Sequence, residues 1–271
     1  MRANFIPALL LGACVFVLFR WWYFRANSPF SRAVLIMLSL AMMVPSVLFA
    51  SNYLLYIPYA DWFYEFHAFP GAEVSSGLVG ALSGIMFASD KLRPNKINGC
   101  ILIIWSVVSF TLLLTPFMKQ LYDSVDYSSL KDKWKDDICL QTSGYTCVPA
   151  CAATLVRLHG GRITEAELAR AAGTIRSGTE YLYMMRALRK RGYESTYNRL
   201  RSIKAAPVPS ILGVHMGNLG HVVVLLHKDK NCIVIGEPLT GRREYTWRHF
   251  NDSYNPDKSY ITIERIRRSS R

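Results

Sequence analysis

The stretch ICLQTSGYTCVPACAATLVRLHG, residues 138–160, holds a glutamine, a turn, a cysteine and a helix-like run in immediate succession. From residue 147 to 158, Val, Ala and Leu recur at helical spacing, Pro149 is tolerated in a first turn, and Gly160-Gly161 supplies a stop. Thr146 is the candidate N-cap. This pattern predicts a helix over 147–158 with Cys147 in its first turn, where unpaired N–H groups and the helix dipole favour a thiolate. Cys151, one turn further in, lacks that position. Gln141 precedes Cys147 by six residues, and its side-chain amide is a candidate donor to the oxyanion that forms when a thiolate attacks a carbonyl. The backbone N–H of Cys147 is the candidate second donor. Between them, Thr142-Ser143-Gly144-Tyr145 is turn-forming, as folding the glutamine back requires. The same spacing also suits a small buried thiol, so the stretch alone leaves Cys147 open to both readings.

Downstream, Thr164 and Glu167 form a capping-box pattern that predicts a helix over 164–172, and a third helix is predicted over 178–191. Beyond Arg199 the period changes. Residues 208–214, 221–227, 232–235 and 260–263 are short β-branched runs punctuated by Pro, Gly and Asn, which predicts antiparallel strands and an α+β order. A nucleophilic cysteine needs a base, and this half offers His159, His215, His221, His227 and His249. His159 ends the first helix and reads as a partner of its C-terminal dipole. His221 follows Gly217-Asn218-Leu219-Gly220 and opens an apolar strand, while His227 shares its face by the period of two but lies at the opposite end. A structural histidine is an equally open reading of His221. After a hairpin around 228–231, the next strand ends at Gly236-Glu237-Pro238, and antiparallel pairing returns Glu237 to the level of His221. It is the candidate group that orients the imidazole.

The first 117 residues differ in kind. Apolar runs cover residues 4–19, 33–57, 76–89 and 99–117. The second and fourth are long enough to span a bilayer, and the first spans with Trp21, Trp22 and Tyr23 at the interface. The third is short. It must borrow residues from Gly71 onward or be re-entrant, and Gly77, Gly80 and Gly84 suit close helix packing. The sequence therefore predicts a transmembrane domain of about four spans over 1–117, a linker over 118–135 and a second domain over 136–271. Leu11-Gly12-Ala13-Cys14 resembles a lipoprotein cleavage box, but the apolar residues after it favour an uncleaved span. The loops with Arg20, Arg25, Arg32 and with Lys91, Arg93, Lys96 are basic, and the one with Asp61, Glu65 and Glu73 is not. With four spans this places both termini, and the second domain, outside the cytoplasm.

Residues 1–117 hold 7 Lys and Arg against 4 Asp and Glu, and residues 118–271 hold 25 against 15. The basic groups of the polar half are scattered among acids, with short clusters at Arg189-Lys190-Arg191 and Arg265-Ile266-Arg267-Arg268. That distribution suits a solvated face or one attracted to lipid headgroups better than a nucleic-acid surface. The six cysteines show no CxxC spacing, so neither a zinc site nor a disulfide framework can be read from them, and no metal or cofactor is expected.

Taken in order, Gln141, TSGYTCVPACAATL, GTEYLYMMRALRKRGY, PVPSILGVHMGNLGHVVVLL and VIGEPLTG resemble the papain-like cysteine peptidases that process bacteriocin leaders, the double-glycine peptidases. The resemblance covers about residues 136–250 and rests on several ordered motifs. It implies a papain-like fold, Cys147 as nucleophile, His221 as general base and then acid, and Gln141 as oxyanion donor. The family's orienting residue is typically Asp before Pro, whereas this chain has Glu237-Pro238, with Gly241 beyond. Family members commonly form the front end of peptide-exporting ATPases. Here the apolar segments come first and no G-x-x-x-x-G-K-[ST] loop is present, so cleavage after a Gly-Gly leader is an analogy. The expectation is a multi-pass protein of the bacterial cell membrane that cleaves a peptide or protein substrate near the bilayer, with a separate export or processing partner. A catalytically silent peptide-binding module and a cell-wall amidase of the same fold are the other readings.

Overall fold

The computed structural model describes residues 4–54, 61–89, 96–123 and 125–266. The chain forms two compact units, Met1–Pro58 with Pro70–Tyr122, and Tyr59–Phe69 with Asp123–Arg271. Lys91, Arg93 and the basic pair 267–268 lie outside the described residues, as do residues 55–57 of the second apolar run.

The first unit is helical. Helices α1 (Phe5–Arg25) and α2 (Pro29–Leu54) come first, α3 (Asp61–Ala68) belongs to the second unit, and a 3-10 helix, Ala72–Val79, runs directly into α4 (Gly80–Ala88) before α5 (Lys96–Tyr122). Three segments, Phe5–Arg25, Pro29–Ser51 and Ile97–Thr115, are long and apolar enough to cross a membrane, while Ala72–Ala88 is shorter. The helical stretch that holds the third apolar run thus begins upstream of residue 76, at Ala72. Gly77, Gly80 and Gly84 form one stripe that abuts the α1 backbone at Ala8, Gly12 and Phe16, so close that a Cβ at any of them would strike a carbonyl oxygen. Both residue series ascend together, so α1 and the Ala72–Ala88 helix run parallel. Ser76 Oγ donates to the Leu113 carbonyl at 3.3 Å and Trp105 Nε1 to Ser83 Oγ at 3.0 Å, which makes α5 antiparallel to them.

The second unit starts with a hairpin of β1 (Lys133–Lys135) and β2 (Ile138–Leu140). The segment expected as a linker therefore carries the end of α5 and a strand of this unit. Helices α6 (Cys147–Leu158), α7 (Glu165–Ala172) and α8 (Tyr181–Lys190) follow. The helix over 147–158 matches the sequence reading, as does the Thr164–Glu167 capping box of α7. Helix α8 starts three residues later than expected, because Ile175 and Gly178 exchange backbone hydrogen bonds in a turn that Gly178 closes at φ +116°.

Six antiparallel strands then build one sheet: β3 (Tyr193–Arg199), β4 (Ser210–Met216), β5 (Leu219–Lys228), β6 (Cys232–Glu237), β7 (Gly241–Thr246) and β8 (Asn255–Arg265), in the order β3-β8-β4-β5-β6-β7. Helix α9 (Trp247–Ser253) closes one face over Leu212, Val214, Val223, Leu225, Ile233 and Ile235 through Trp247 and Phe250. By the period of two, His221 extends the row of Val223 and Leu225, and Glu237 extends that of Ile233 and Ile235. The sheet thus fixes both side chains relative to its core.

The glycine stripe yields a test. Gly80→Val should destabilise the helical unit by about 1–3 kcal/mol because backbone cannot yield to the new side chain. Gly99→Val, where an added Cβ meets nothing within 4 Å, should be neutral. Thermal unfolding in detergent compares the two.

Candidate active site

Cys147 opens α6 and is half-buried, whereas Cys139 and Cys151 are buried. Thr146 precedes it but does not cap with its side chain; its Oγ1 instead donates to the Ser143 carbonyl at 3.1 Å and so tightens the turn before the helix. The expected cap is replaced by a turn brace. Cys151 Sγ donates to the Val222 carbonyl at 3.5 Å, and burial, then the nearby Cys147 and Glu237, push its thiol up. Burial and the charges of Glu165 and Asp132 do the same to Cys139. The hydrogen bond to Asp229 is the main cause that pushes Cys232 up to about 11. These three thiols are held neutral at physiological pH.

His221 lies on β5, buried, between Cys147 and Glu237. Its Nε2 is 2.8 Å from Glu237 Oε1, and Cys147 lies near enough to act on its titration. Burial alone lowers an imidazole's pKa. Here the neighbouring Cys147, with the hydrogen bond and charge of Glu237, overcomes it and raises His221 to about 9. Glu237 is correspondingly surrounded. Burial raises its carboxyl pKa, but the hydrogen bond and charge of His221, the Tyr254 hydroxyl and the Leu239 N–H outweigh that and hold it low. The Tyr254 hydroxyl donates to Oε2 at 2.7 Å, and Leu239 N donates to Oε1 at 3.2 Å. Burial and then the Glu237 hydrogen bond push the Tyr254 phenol up, so it remains a donor. Tyr254 escapes a sequence reading: one of fifteen tyrosines, it carries no spacing signal.

Gln141 follows β2. Its side-chain Nε2 donates to the Ser143 carbonyl at 2.8 Å, and its buried Oε1 has no partner among the described residues. The amide orientation is fixed, since turning it over would set two acceptors against each other. One of the two Nε2 hydrogens is thereby used, leaving one to offer a ligand. The backbone N–H of Gln141 donates to the Pro238 carbonyl at 2.8 Å, tying this loop to the turn after Glu237. A second brace comes from Glu165, fully buried at the start of α7, whose two oxygens accept from Thr142 N at 2.9 Å and Thr142 Oγ1 at 2.8 Å. Its signal in the sequence was overshadowed by its neighbour Glu167.

The remaining histidines stand apart. His159 ends α6 with Nδ1 2.9 Å from the Leu155 carbonyl. His227 is exposed, because the β5–β6 register shifts between Leu225 and His227 and takes it off the face that the period of two assigned it. The structure therefore brings Cys147 and Glu237 to the same imidazole, that of His221. An imidazole between a thiol at a helix start and a buried carboxylate can hold the thiol's proton and pass it on. No cluster with metal-ligand character occurs among the described residues.

Residues 135–265 match the model of the Peptidase C39 family. An uncharacterized protein of Methanothermobacter thermautotrophicus is 34% identical over 110 residues, which cover 39% of this chain and 73% of that protein. Another, from Methanothermobacter marburgensis, is 36% identical over 105 residues, with shares of 39% and 73%. Among solved structures, the peptidase domain of Streptococcus ComA, described as a bifunctional ABC transporter involved in quorum sensing, superimposes with a TM-score of 0.43 at 21% identity, covering 48% of this chain and 98% of that domain. A double glycine motif protease from an AMS/PCAT transporter, solved with its leader peptide, gives 0.43 at 19%, covering 51% and 96%. By the match over its sheet-and-helix unit, the chain belongs to the peptidase C39 family.

Proposed function

We propose that this protein is a membrane-anchored cysteine peptidase that cleaves a peptide or protein substrate through an acyl-enzyme on Cys147. The observation that carries this reading is the buried pair in which Glu237 holds His221 at 2.8 Å, beside Cys147 at the start of its helix. The Cys147 thiolate adds to the scissile carbonyl carbon. The resulting oxyanion is received by the free Nε2 hydrogen of Gln141 and the Cys147 N–H, which has no partner within its helix. His221 then gives its proton to the leaving amine as the C–N bond breaks, leaving a thioester. Water, deprotonated by the same imidazole, releases the acid. Glu237 holds the ring's tautomer and balances its charge; the extra methylene relative to Asp is accommodated, because both oxygens meet donors. The leader peptide bound by the AMS/PCAT protease supports a peptide as the substrate class. Three segments long and apolar enough to cross a membrane support the anchoring, and the basic loops of a four-span path support a peptidase unit outside the cytoplasm. Its substrate is then presented at the bilayer surface, by a separate export or processing partner.

A thiol-reactive peptide probe should label the wild type at least about tenfold faster than Cys147→Ala, read by mass spectrometry. Equal labelling would leave a silent peptide-binding module in its place.

Turnover should decline as pH rises through about 9, where His221 loses the proton it must donate. Its folded pKa exceeds the free value of about 6.5, so its contribution to stability is complete below that value and lost on the way up through about 9. Glu237→Gln removes the charge that holds the proton, and the alkaline limb of the pH–rate profile should move to lower pH. Glu237 has the opposite sign: its contribution is present above about 4.3 and is lost as pH falls below that through its lowered folded value.

Tyr254→Phe leaves one buried carboxylate oxygen without its donor, and chemical denaturation at neutral pH should show a loss of about 1.5–3 kcal/mol.

A further inference from the structure

Helix α3 lies in sequence between α2 and the Ala72–Ala88 helix, yet it is part of the compact unit that holds the candidate active site. Its buried face, Phe63, His67 and Ala68, packs against α8 and β3. Two arginines of α8 fasten it. Arg186, itself buried, donates to the His67 carbonyl in the last turn of α3, where a helix offers unpaired carbonyls and the negative end of its dipole. Arg189 grips Glu65 at 2.7 and 3.0 Å and donates to the Ser195 carbonyl of β3 at 2.6 Å, joining three elements through one guanidinium. A buried guanidinium is tolerated only with such partners, so the docking of α3 is built into α8.

This has a consequence for the membrane path. If α3 and the unit that follows α5 are one body, residues 68 and 123 lie on the same side of the bilayer, and the chain between them crosses an even number of times. The Ile97–Thr115 segment is long and apolar enough to cross once, so Ala72–Ala88 must cross too. Its length fits because of its mixed geometry. Seventeen α-helical residues would reach only about 26 Å, but eight residues of 3-10 helix at about 2.0 Å rise followed by nine of α-helix at about 1.5 Å reach about 30 Å, the thickness of the hydrocarbon core. The helix also lies parallel along α1 over residues 8–20, so it follows a neighbour that is itself long enough to span.

We infer that α3 is a second anchor of the peptidase unit, docked on α8 and β3 through Arg186 and Arg189, and that the stretched Ala72–Ala88 helix is a full transmembrane span. The inference rests on the proposed membrane-anchored reading but not on catalysis. The exposed Trp62 offers a reporter. In sealed vesicles of the full chain, Trp62→Cys should gain labelling by a membrane-impermeant maleimide, over the wild-type background, from the same side at which protease removes a tag placed after Arg271. Labelling and tag removal from opposite faces would overturn the proposal. In the second arm, Glu65→Arg should lower the melting temperature of the chain by a few degrees and Glu65→Arg with Arg189→Glu should recover at least half of the loss. An unchanged melting temperature in Glu65→Arg, or no recovery in the pair, would overturn the docking. Because neither measurement needs turnover, both can be made in Cys147→Ala, and a failure of the peptidase reading leaves them intact.

Discussion

The hydrogen bond between His221 and Glu237 is the constraint around which the peptidase unit is organised. A carboxylate and an imidazole, both buried, are costly to desolvate and are kept only when every polar atom finds a partner. Here the partners come from distant places in the chain. The ring comes from β5 and the carboxylate from the end of β6, while the phenol of Tyr254 follows α9 and the Leu239 N–H begins the next turn. Pairing of β5 with β6 brings the first two together, and the packing of α9 over the sheet delivers the third. The helical half contributes one atom to this centre, the sulfur of Cys147. Packing of α6 on β5, sealed by the Cys151 thiol on the Val222 carbonyl, fixes its approach.

This division explains why much of the site was legible in the sequence. Cys147 and Gln141 lie within seven residues of one another, so the turn and helix between them are local features with local signals. His221 and Glu237 are separated by one hairpin, and antiparallel pairing relates them by simple counting. Tyr254 and Glu165 were not legible, for their roles depend on how α9 and α7 pack, which no short-range pattern records. The two strands of the six-stranded sheet that escaped notice, β3 and β7, are its edges. An edge carries polar and charged residues on its open side, and GRREYT in β7 has no apolar alternation to reveal it. Helix α3 escaped for a related reason: its partners lie more than a hundred residues downstream.

The helical unit shows the complementary case. Gly77, Gly80 and Gly84 were readable as a packing stripe, but the 3-10 geometry of Ala72–Val79 was not, since its residues have no signature that separates it from α-helix. What the stripe does is shorten the distance between two backbones until side chains are excluded from the seam. Without a hydrophobic drive between apolar helices, such close approach is the main source of their cohesion.

The hydrogen bond from Gln141 N–H to the Pro238 carbonyl joins the loop that carries the candidate oxyanion donor to the turn that carries the orienting carboxylate. Two functions usually treated as separate therefore share one piece of backbone. A shift of that turn would displace the support of the imidazole and the receiver of negative charge in the same movement, so changes made on the two loops should not combine as independent losses. In the proposed enzyme, proton delivery and charge stabilisation form one mechanical element.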